Sequence, residues 1–181
     1  MPKEIARKIR SICNHPWKRE LLFQNKIMWT KLWISLDLID DTQNAIDNYS
    51  ELDDFSSSNG YLYIFGVLQA MFVQLDAVNS LKLAINEDEI DFKKDFPKLY
   101  QIVELRNNSI GHPTNRRNDK SFHLIVRSSI SKNGFTMVSY QPKADQSSFS
   151  EEINLPKIIE KQADLLRKIL DETMQNLTDQ Y

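Results

Sequence analysis

The chain has 181 residues and a formal net charge of −2, which suits a single domain spanning residues 1–181 with an ample hydrophobic core. Its one cysteine, Cys13, excludes an intramolecular disulfide and a cysteine-based metal site. Because the N-terminal segment mixes charges among its apolar residues and lacks the features of a signal peptide, we expect a cytoplasmic protein.

The charges are unevenly distributed along the chain. Residues 1–31 hold eight Lys or Arg and two acids, whereas residues 37–54 hold seven acids and no base. Residues 105–132 hold six bases and one acid. This last excess of positive charge is compatible with a polyanion partner, and equally with an ordinary solvated surface.

Helices dominate the predicted structure, since the chain has only four glycines and six prolines and its apolar residues recur every three or four positions. We predict a short helix over residues 3–13 and one long helix over residues 17–49. A second long helix over residues 60–85 is apolar on nearly every side and should lie at the centre of the bundle, with Gly66 allowing close helix approach. Its most apolar run, residues 61–75, is too short to cross a membrane.

A third core helix is predicted to begin at Pro97 and to end near Gly111 and Pro113. Alternating apolar residues around Asn133 and Gly134 then predict one β-hairpin over about residues 121–141, with these two residues at the centre of its turn. In that register Ile130 lies opposite Met137 and Arg127 opposite Tyr140. A polar loop over residues 142–151 leads to a last helix over residues 155–177. The predicted fold class is therefore all-α, with an inserted hairpin.

Arg106 occupies a position where the third core helix should carry an apolar residue. It follows Leu99 by seven residues and so shares the inner face of Leu99, Ile102, Val103 and Ile110. A guanidinium keeps its proton in proteins, and burying it alone is costly, so it must meet an anion, carbonyl groups, water or a subunit boundary. One alternative is purely structural: Arg106 binds helix carbonyls, and Gly111 ends the helix in a left-handed cap.

The segment Leu105-Arg106-Asn107-Asn108-Ser109-Ile110-Gly111-His112 resembles the signature motif of HEPN domains. In that family four to six residues lie between an arginine, commonly followed by a polar residue, and a histidine, and here five residues intervene. The resemblance extends over the helical body, from about residue 17 to residue 177. It implies a HEPN-like up-and-down helical bundle in which the hairpin is an insertion.

The resemblance also implies a function, namely metal-independent RNA cleavage by a homodimer whose two Arg/His pairs face one cleft, without a cofactor. His112 would be the general acid or base, Arg106 would stabilise the phosphate, and Asn107 would orient His112 or bind the phosphate. In some HEPN systems the protein is a toxin or a phage-defence factor with an antitoxin, including a nucleotidyltransferase, as partner. The same role and partner are expected here by resemblance only.

Several further residues have a functional and an ordinary interpretation. Arg116, Arg117 and Lys120 could hold the RNA backbone, or they could be ordinary solvated side chains. His123 is expected on the polar side of the hairpin, where a surface role is favoured over a second titrating group. No group of residues has the spacing of metal ligands, so we expect no metal site.

A second function belongs to a different class of protein. Gly111 and Pro113 bracket His112 and could turn it away from Arg106. The chain would then be a dimeric HEPN-like module that binds an anionic ligand or a nucleic acid without cutting it.

Overall fold

The computed structural model describes residues 1–22, 25–52, 55, 59–85, 88–111, 113–114, 121–141 and 147–179. In this part of the chain the α-helices are α1 (Pro2–Cys13), α2 (Pro16–Leu22), α3 (Lys26–Glu51), α4 (Gly60–Ala84), α5 (Phe92–Asp95), α6 (Pro97–Arg106) and α7 (Leu155–Asp179). The strands are β1 (Phe122–Ile125), β2 (Gly134–Gln141) and β3 (Ser147–Asn154).

The helices begin largely where the sequence predicts. The prediction of one helix over residues 17–49 is wrong, because α2 ends at Leu22 and α3 begins anew at Lys26. The Asn25 side chain accepts hydrogen bonds from the backbone N–H groups of Ile27 and Met28, and so caps the new helix. Pro97 is the first residue of α6, as predicted, because its missing N–H is not needed there.

The core is formed mainly where α3 packs along α4, with α1, α6 and α7 around this pair. Three buried glutamine side chains form a chain of hydrogen bonds across this core. Gln162 on α7 donates to Gln74 on α4 (2.9 Å), and Gln74 donates to Gln43 on α3 (3.2 Å). Each residue is at most 4% exposed, so a displaced helix would leave buried polar groups unpaired. These bonds fix the relative positions of the three helices.

A three-stranded antiparallel sheet in the order β1-β2-β3 replaces the predicted hairpin. The prediction of a mostly helical chain is confirmed. The prediction of an all-α fold is wrong in part, because the protein also contains this three-stranded sheet. Strand β3 is absent from the prediction because five of its eight residues are serine or glutamate, which is typical of a polar loop such as the one predicted over residues 142–151. Its inward residue Ile153 is 7% exposed and pairs with Phe135 of β2.

The turn before β2 differs from the predicted one by one residue. Ser131 and Gly134 exchange both backbone hydrogen bonds, which places Lys132 and Asn133 at the centre. Gly134 has φ of 135° and lies so close to the Ile153 carbonyl that no Cβ would fit. The glycine is therefore needed for the approach of β3. Because Arg127–Ser129 form a 3-10 turn outside the strand pairing, Met137 pairs with Ile125, not with Ile130, and Tyr140 pairs with Phe122, not with Arg127.

Helix α4 is long and apolar enough to cross a membrane by length and composition, but half of its most apolar window is buried inside the protein. A core helix has the same properties. Helices α3, α6 and α7 pack on it, as predicted for a central helix. Its outward side is not covered, however, and this side adjoins the candidate site.

Candidate functional site

Arg106 is the last residue of α6, and its half-buried side chain extends toward α4. Its Nε and Nη2 atoms both donate to Gln69 Oε1, at 3.0 and 2.8 Å. Its Nη1 atom donates to Asn107 Oδ1 at 2.9 Å. The guanidinium is thus held in one orientation by two side-chain amide oxygens.

The charge of Arg106 is not neutralised by these contacts. Amide oxygens are neutral acceptors, and among the described residues no carboxylate lies within ion-pairing distance of the guanidinium. A guanidinium has five N–H donors, and the three hydrogen bonds leave one on Nη1 and one on Nη2 without a partner in the described part of the chain. These two N–H groups can donate hydrogen bonds to an anion.

Two further contacts shape the space around this cation. The Arg106 Cζ atom lies 4.7 Å from the centre of the Phe72 ring, within the range of a cation–π contact. On another side lies Gly111, where an added Cβ would come within 2.8 Å of Nη1 and 3.1 Å of Asn107 Oδ1. We call Gln69, Phe72, Asn107 and Gly111 the arginine cradle.

A local change in helix geometry brings Gly111 to the guanidinium. Asn107–Gly111 form a π-helical turn, in which residue i pairs with residue i+5. Position 111 therefore lies over Arg106, where a regular α-helix would place the isoleucine at position 110. Because π-turns within helices are common at functional sites, this turn independently marks the segment.

The structure decides two of the expectations for this segment. The inward direction of Arg106 is confirmed, because its contacts are to α4. The purely structural alternative, with a left-handed cap at Gly111, is wrong, since Gly134 is the only described glycine with positive φ and Gly111 continues the helix as a π-turn. The partners of Arg106 are side-chain amides, not helix carbonyls.

The other predicted catalytic and RNA-binding residues divide into described and undescribed ones. Asn107 is half-buried and accepts a hydrogen bond from Arg106, the cation of the motif. His112, Arg116, Arg117 and Lys120 lie outside the described residues, and their roles stay predictions.

His123 does not lie on the polar outer side of the sheet. Its Nδ1 is 2.8 Å from the hydroxyl of Ser139, which is 1% exposed, so the imidazole is on the inward side. Its backbone N–H donates to the carbonyl of Pro113 at 2.8 Å. The different placement follows from the shifted register, which aligns His123 with Ser139. Strand β1 is thereby tied to the end of the motif.

Sequence reasoning missed Gln69 and Phe72 as parts of the site. Phe72 has the helical spacing of a core residue, which gives no indication of a functional role. Gln69 did carry a signal, because it is one of only two amides in the apolar run of residues 61–75. A polar side chain on an apolar helix requires a partner, and here the partner is Arg106.

The outward side of α4 beside the cradle is apolar and uncovered. Leu62 is 70% exposed, Phe65 is 37% exposed, and a Cβ added at Gly66 would meet no atom within 4 Å. These residues lie on the same helix face as Gln69, which follows Leu62 by two turns. Among the described residues no helix approaches Gly66 closely, so the prediction of such an approach is wrong for this part of the chain. The cradle therefore opens at the edge of an apolar surface.

Comparison with known proteins gave no match to any family model, curated protein or solved structure. Among the described residues no group of three or more His, Cys, Asp or Glu is placed to hold a metal ion.

Proposed function

We propose that this protein is a HEPN-type, metal-independent endoribonuclease that cleaves RNA by attack of a ribose 2′-hydroxyl on the adjacent phosphate. The single observation that supports it most is the state of Arg106: a half-buried cation, fixed by neutral amides, with two N–H donors left for a ligand. The motif resemblance adds the type of chemistry.

Arg106 has the properties that phosphate stabilisation requires. In the transition state the phosphate gains negative charge, and oriented donors with a fixed positive charge stabilise it. Gln69 and Asn107 hold the guanidinium plane in place, so little reorganisation is needed when the anion binds. A carboxylate in place of either amide would compete with the phosphate, and the described residues provide none there.

His112 is assigned the proton transfers in this proposal. An imidazole has an unperturbed pKa of about 6.5, so both of its forms are available near neutrality. The reaction requires removal of the 2′-hydroxyl proton and protonation of the leaving 5′-oxygen. His112 of one chain and its symmetry mate in a dimer can divide these two tasks. Its position one residue after Gly111 supports the assignment.

A homodimer through the outward side of α4 is part of the proposal. Leu62, Phe65 and Gly66 give a surface that combines exposed apolar side chains with a position where another backbone can come close. Covering this surface with a second copy would bring two arginine cradles to one seam. The partner copy would thus complete the site.

Contacts to flanking RNA, and a biological role and partner, are also proposed from the sequence and its resemblance to HEPN domains. Arg116, Arg117 and Lys120 would hold the flanking RNA backbone without reading its sequence. A role as a toxin or in phage defence, with an antitoxin or nucleotidyltransferase partner in the cytoplasm, is suggested by the motif resemblance alone.

Cleavage of mixed RNA in the presence of a chelator tests the proposal. We expect fragments that end in a 2′,3′-cyclic phosphate, and loss of cleavage in folded Arg106→Ala and His112→Ala variants. Arg167→Ala is the matched control, since Arg167 is an exposed arginine of α7. Cleavage that persists in both motif variants would contradict the proposal.

A second candidate function is a dimeric module that binds an anion or nucleic acid without cutting it. It is favoured by one observation, namely that the arginine cradle is complete among residues that precede His112. Binding of RNA that depends on Arg106 but not on His112, with no cleavage by the parent protein, would support this second function.

A further inference from the structure

A cavity of about 390 Å³ is lined by α6 but by none of the residues of the arginine cradle. It is bounded by α6, by the inward side of β2 and β3, and by the first turns of α7. Its volume falls within the range of about 300–1,000 Å³ that is usual for small-molecule sites. Its floor consists of the apolar side chains Ile102, Leu105, Met137, Ile153 and Ile158.

One end of this cavity is basic. Lys98 lies in the first turn of α6, and Lys161 lies six residues after the start of α7, which places it about 9 Å from the sheet along the helix. Both lysines are therefore at the end of the cavity that is remote from the strands. Neither forms an ion pair within the described part of the chain.

The opposite end of the cavity is acidic, because Glu104, in the last turn of α6, and Glu151 both line it. Glu151 pairs directly with Met137 in the sheet, and the Ser109 hydroxyl lies 3.9 Å from the Met137 sulfur. This end is thus at the π-turn after α6, where Asn108 also lines the cavity. Glu151 forms no ion pair with any described residue. Between Lys98 and Asn108 the cavity extends about 15 Å along α6.

We propose that this cavity binds a nucleoside monophosphate whose base carries an exocyclic amino group. Its phosphate, with a charge of about −1.5 to −2 near neutrality, suits the two lysines better than a single carboxylate would. An ionised carboxylate only accepts hydrogen bonds, so Glu151 selects a base edge that donates one. The planar base packs on the apolar floor between the two ends.

Calorimetric titration of the full chain with AMP, CMP, UMP and inorganic phosphate tests the proposal. We expect at least one of AMP and CMP to bind, and UMP, which has no exocyclic amine, to bind about tenfold more weakly or worse. Inorganic phosphate should bind more weakly still, because it leaves the floor uncovered. Equal affinity for AMP, CMP and UMP, or no binding of AMP and CMP at millimolar concentration, would overturn the proposal.

Charge variants at each end locate the binding. Lys161→Glu should weaken binding about tenfold or more, and Glu151→Gln should reduce the preference for an amino-bearing base. Lys168→Glu, two turns further along α7, and Glu152→Gln, on the opposite side of β3, are controls that should leave binding unchanged. Affinity unaffected by Lys161→Glu and Glu151→Gln would place the nucleotide elsewhere and refute the assignment.

This inference does not depend on the proposed ribonuclease function. None of the variants alters the arginine cradle, and the readout is nucleotide affinity. A protein that binds AMP and cuts no RNA would leave the inference intact while refuting the ribonuclease. A protein that cuts RNA but binds neither AMP nor CMP would refute the inference and leave the ribonuclease proposal intact.

Discussion

Arg106 owes its properties to neutral partners. A surface arginine such as Arg7 in this chain pairs with a carboxylate, Asp40, at 3.1 Å. Arg106 instead binds Gln69 and Asn107, which orient it without removing its charge. The sequence was sufficient to predict a cation on the inner face of α6, because that depends on helical spacing alone. It could not predict Gln69 as partner, since that contact depends on how α6 packs against α4.

Gly111→Ala should abolish most of the cleavage without unfolding the protein. The added Cβ would lie 2.8 Å from Arg106 Nη1, the flexible end of a side chain, so the guanidinium would move and the fold would be kept. A displacement of about 1 Å at a catalytic group can cost about 100-fold in rate. We expect a loss of that order in single-turnover cleavage, with an unchanged urea midpoint.

Gly66→Ala controls only for the effect on stability of replacing a helical glycine, and not for cleavage, because Gly66 lies on the proposed dimer surface. Its Cβ would meet no atom within 4 Å, and alanine in a helix interior is favoured over glycine by about 0.5–1 kcal/mol. The variant should therefore be slightly more stable, as monitored by circular dichroism during urea unfolding. If Gly111→Ala cleaved RNA at the parental rate, the close approach of Gly111 would have no part in positioning Arg106.

The π-turn and β3 are the elements that periodicity could not reveal. Apolar spacing locates a helix but does not distinguish an i+4 from an i+5 turn, so the position of Gly111 over Arg106 was not predictable. In β3 only the residues on the inward side need to be apolar for packing. One of these inward residues, Glu151, lines a cavity and is charged, so the strand lacks a clear apolar alternation. By contrast, α4, α6 and α7 begin close to the predicted residues, because strong apolar patterns and Pro97 define them.

Leu62→Glu should shift the protein from dimer to monomer. The side chain is 70% exposed in the single chain, so its replacement costs the fold little, but a charge on the outward side of α4 would oppose burial against a second copy. Trp17→Glu on α2, where the tryptophan is 76% exposed, is the matched control. Multi-angle light scattering gives the mass. A parent protein that is monomeric at all concentrations would exclude the shared cleft.

Two buried titrating groups, Cys13 and Tyr49, contribute to the response of the molecule to alkaline pH. Burial raises the pKa of the Cys13 thiol from 9.0 to about 11, and burial raises the pKa of the Tyr49 hydroxyl from 10.0 to about 12. The folded state therefore retains protons that the unfolded chain releases first. Their contribution to stability is complete below about pH 9 and is lost as pH rises toward 11 and 12.

The free energy of unfolding should thus fall between about pH 9 and pH 11. Each pKa unit corresponds to about 1.4 kcal/mol, so the Cys13 thiol alone can account for a change of the order of 2 kcal/mol. Urea unfolding at several pH values measures this slope, and Cys13→Ala should make it shallower. A stability that is constant from pH 8 to about pH 11 would show that the thiol is not held in its neutral form.

Across the whole molecule the cation at the end of α6 is the central feature, and Gln69→Glu tests it most directly. The variant keeps every residue of the motif but gives Arg106 a carboxylate partner in place of an amide. We predict that single-turnover cleavage of RNA falls at least about tenfold, because the phosphate must then compete with an internal anion. Cleavage by Gln69→Glu at the parental rate would contradict the account.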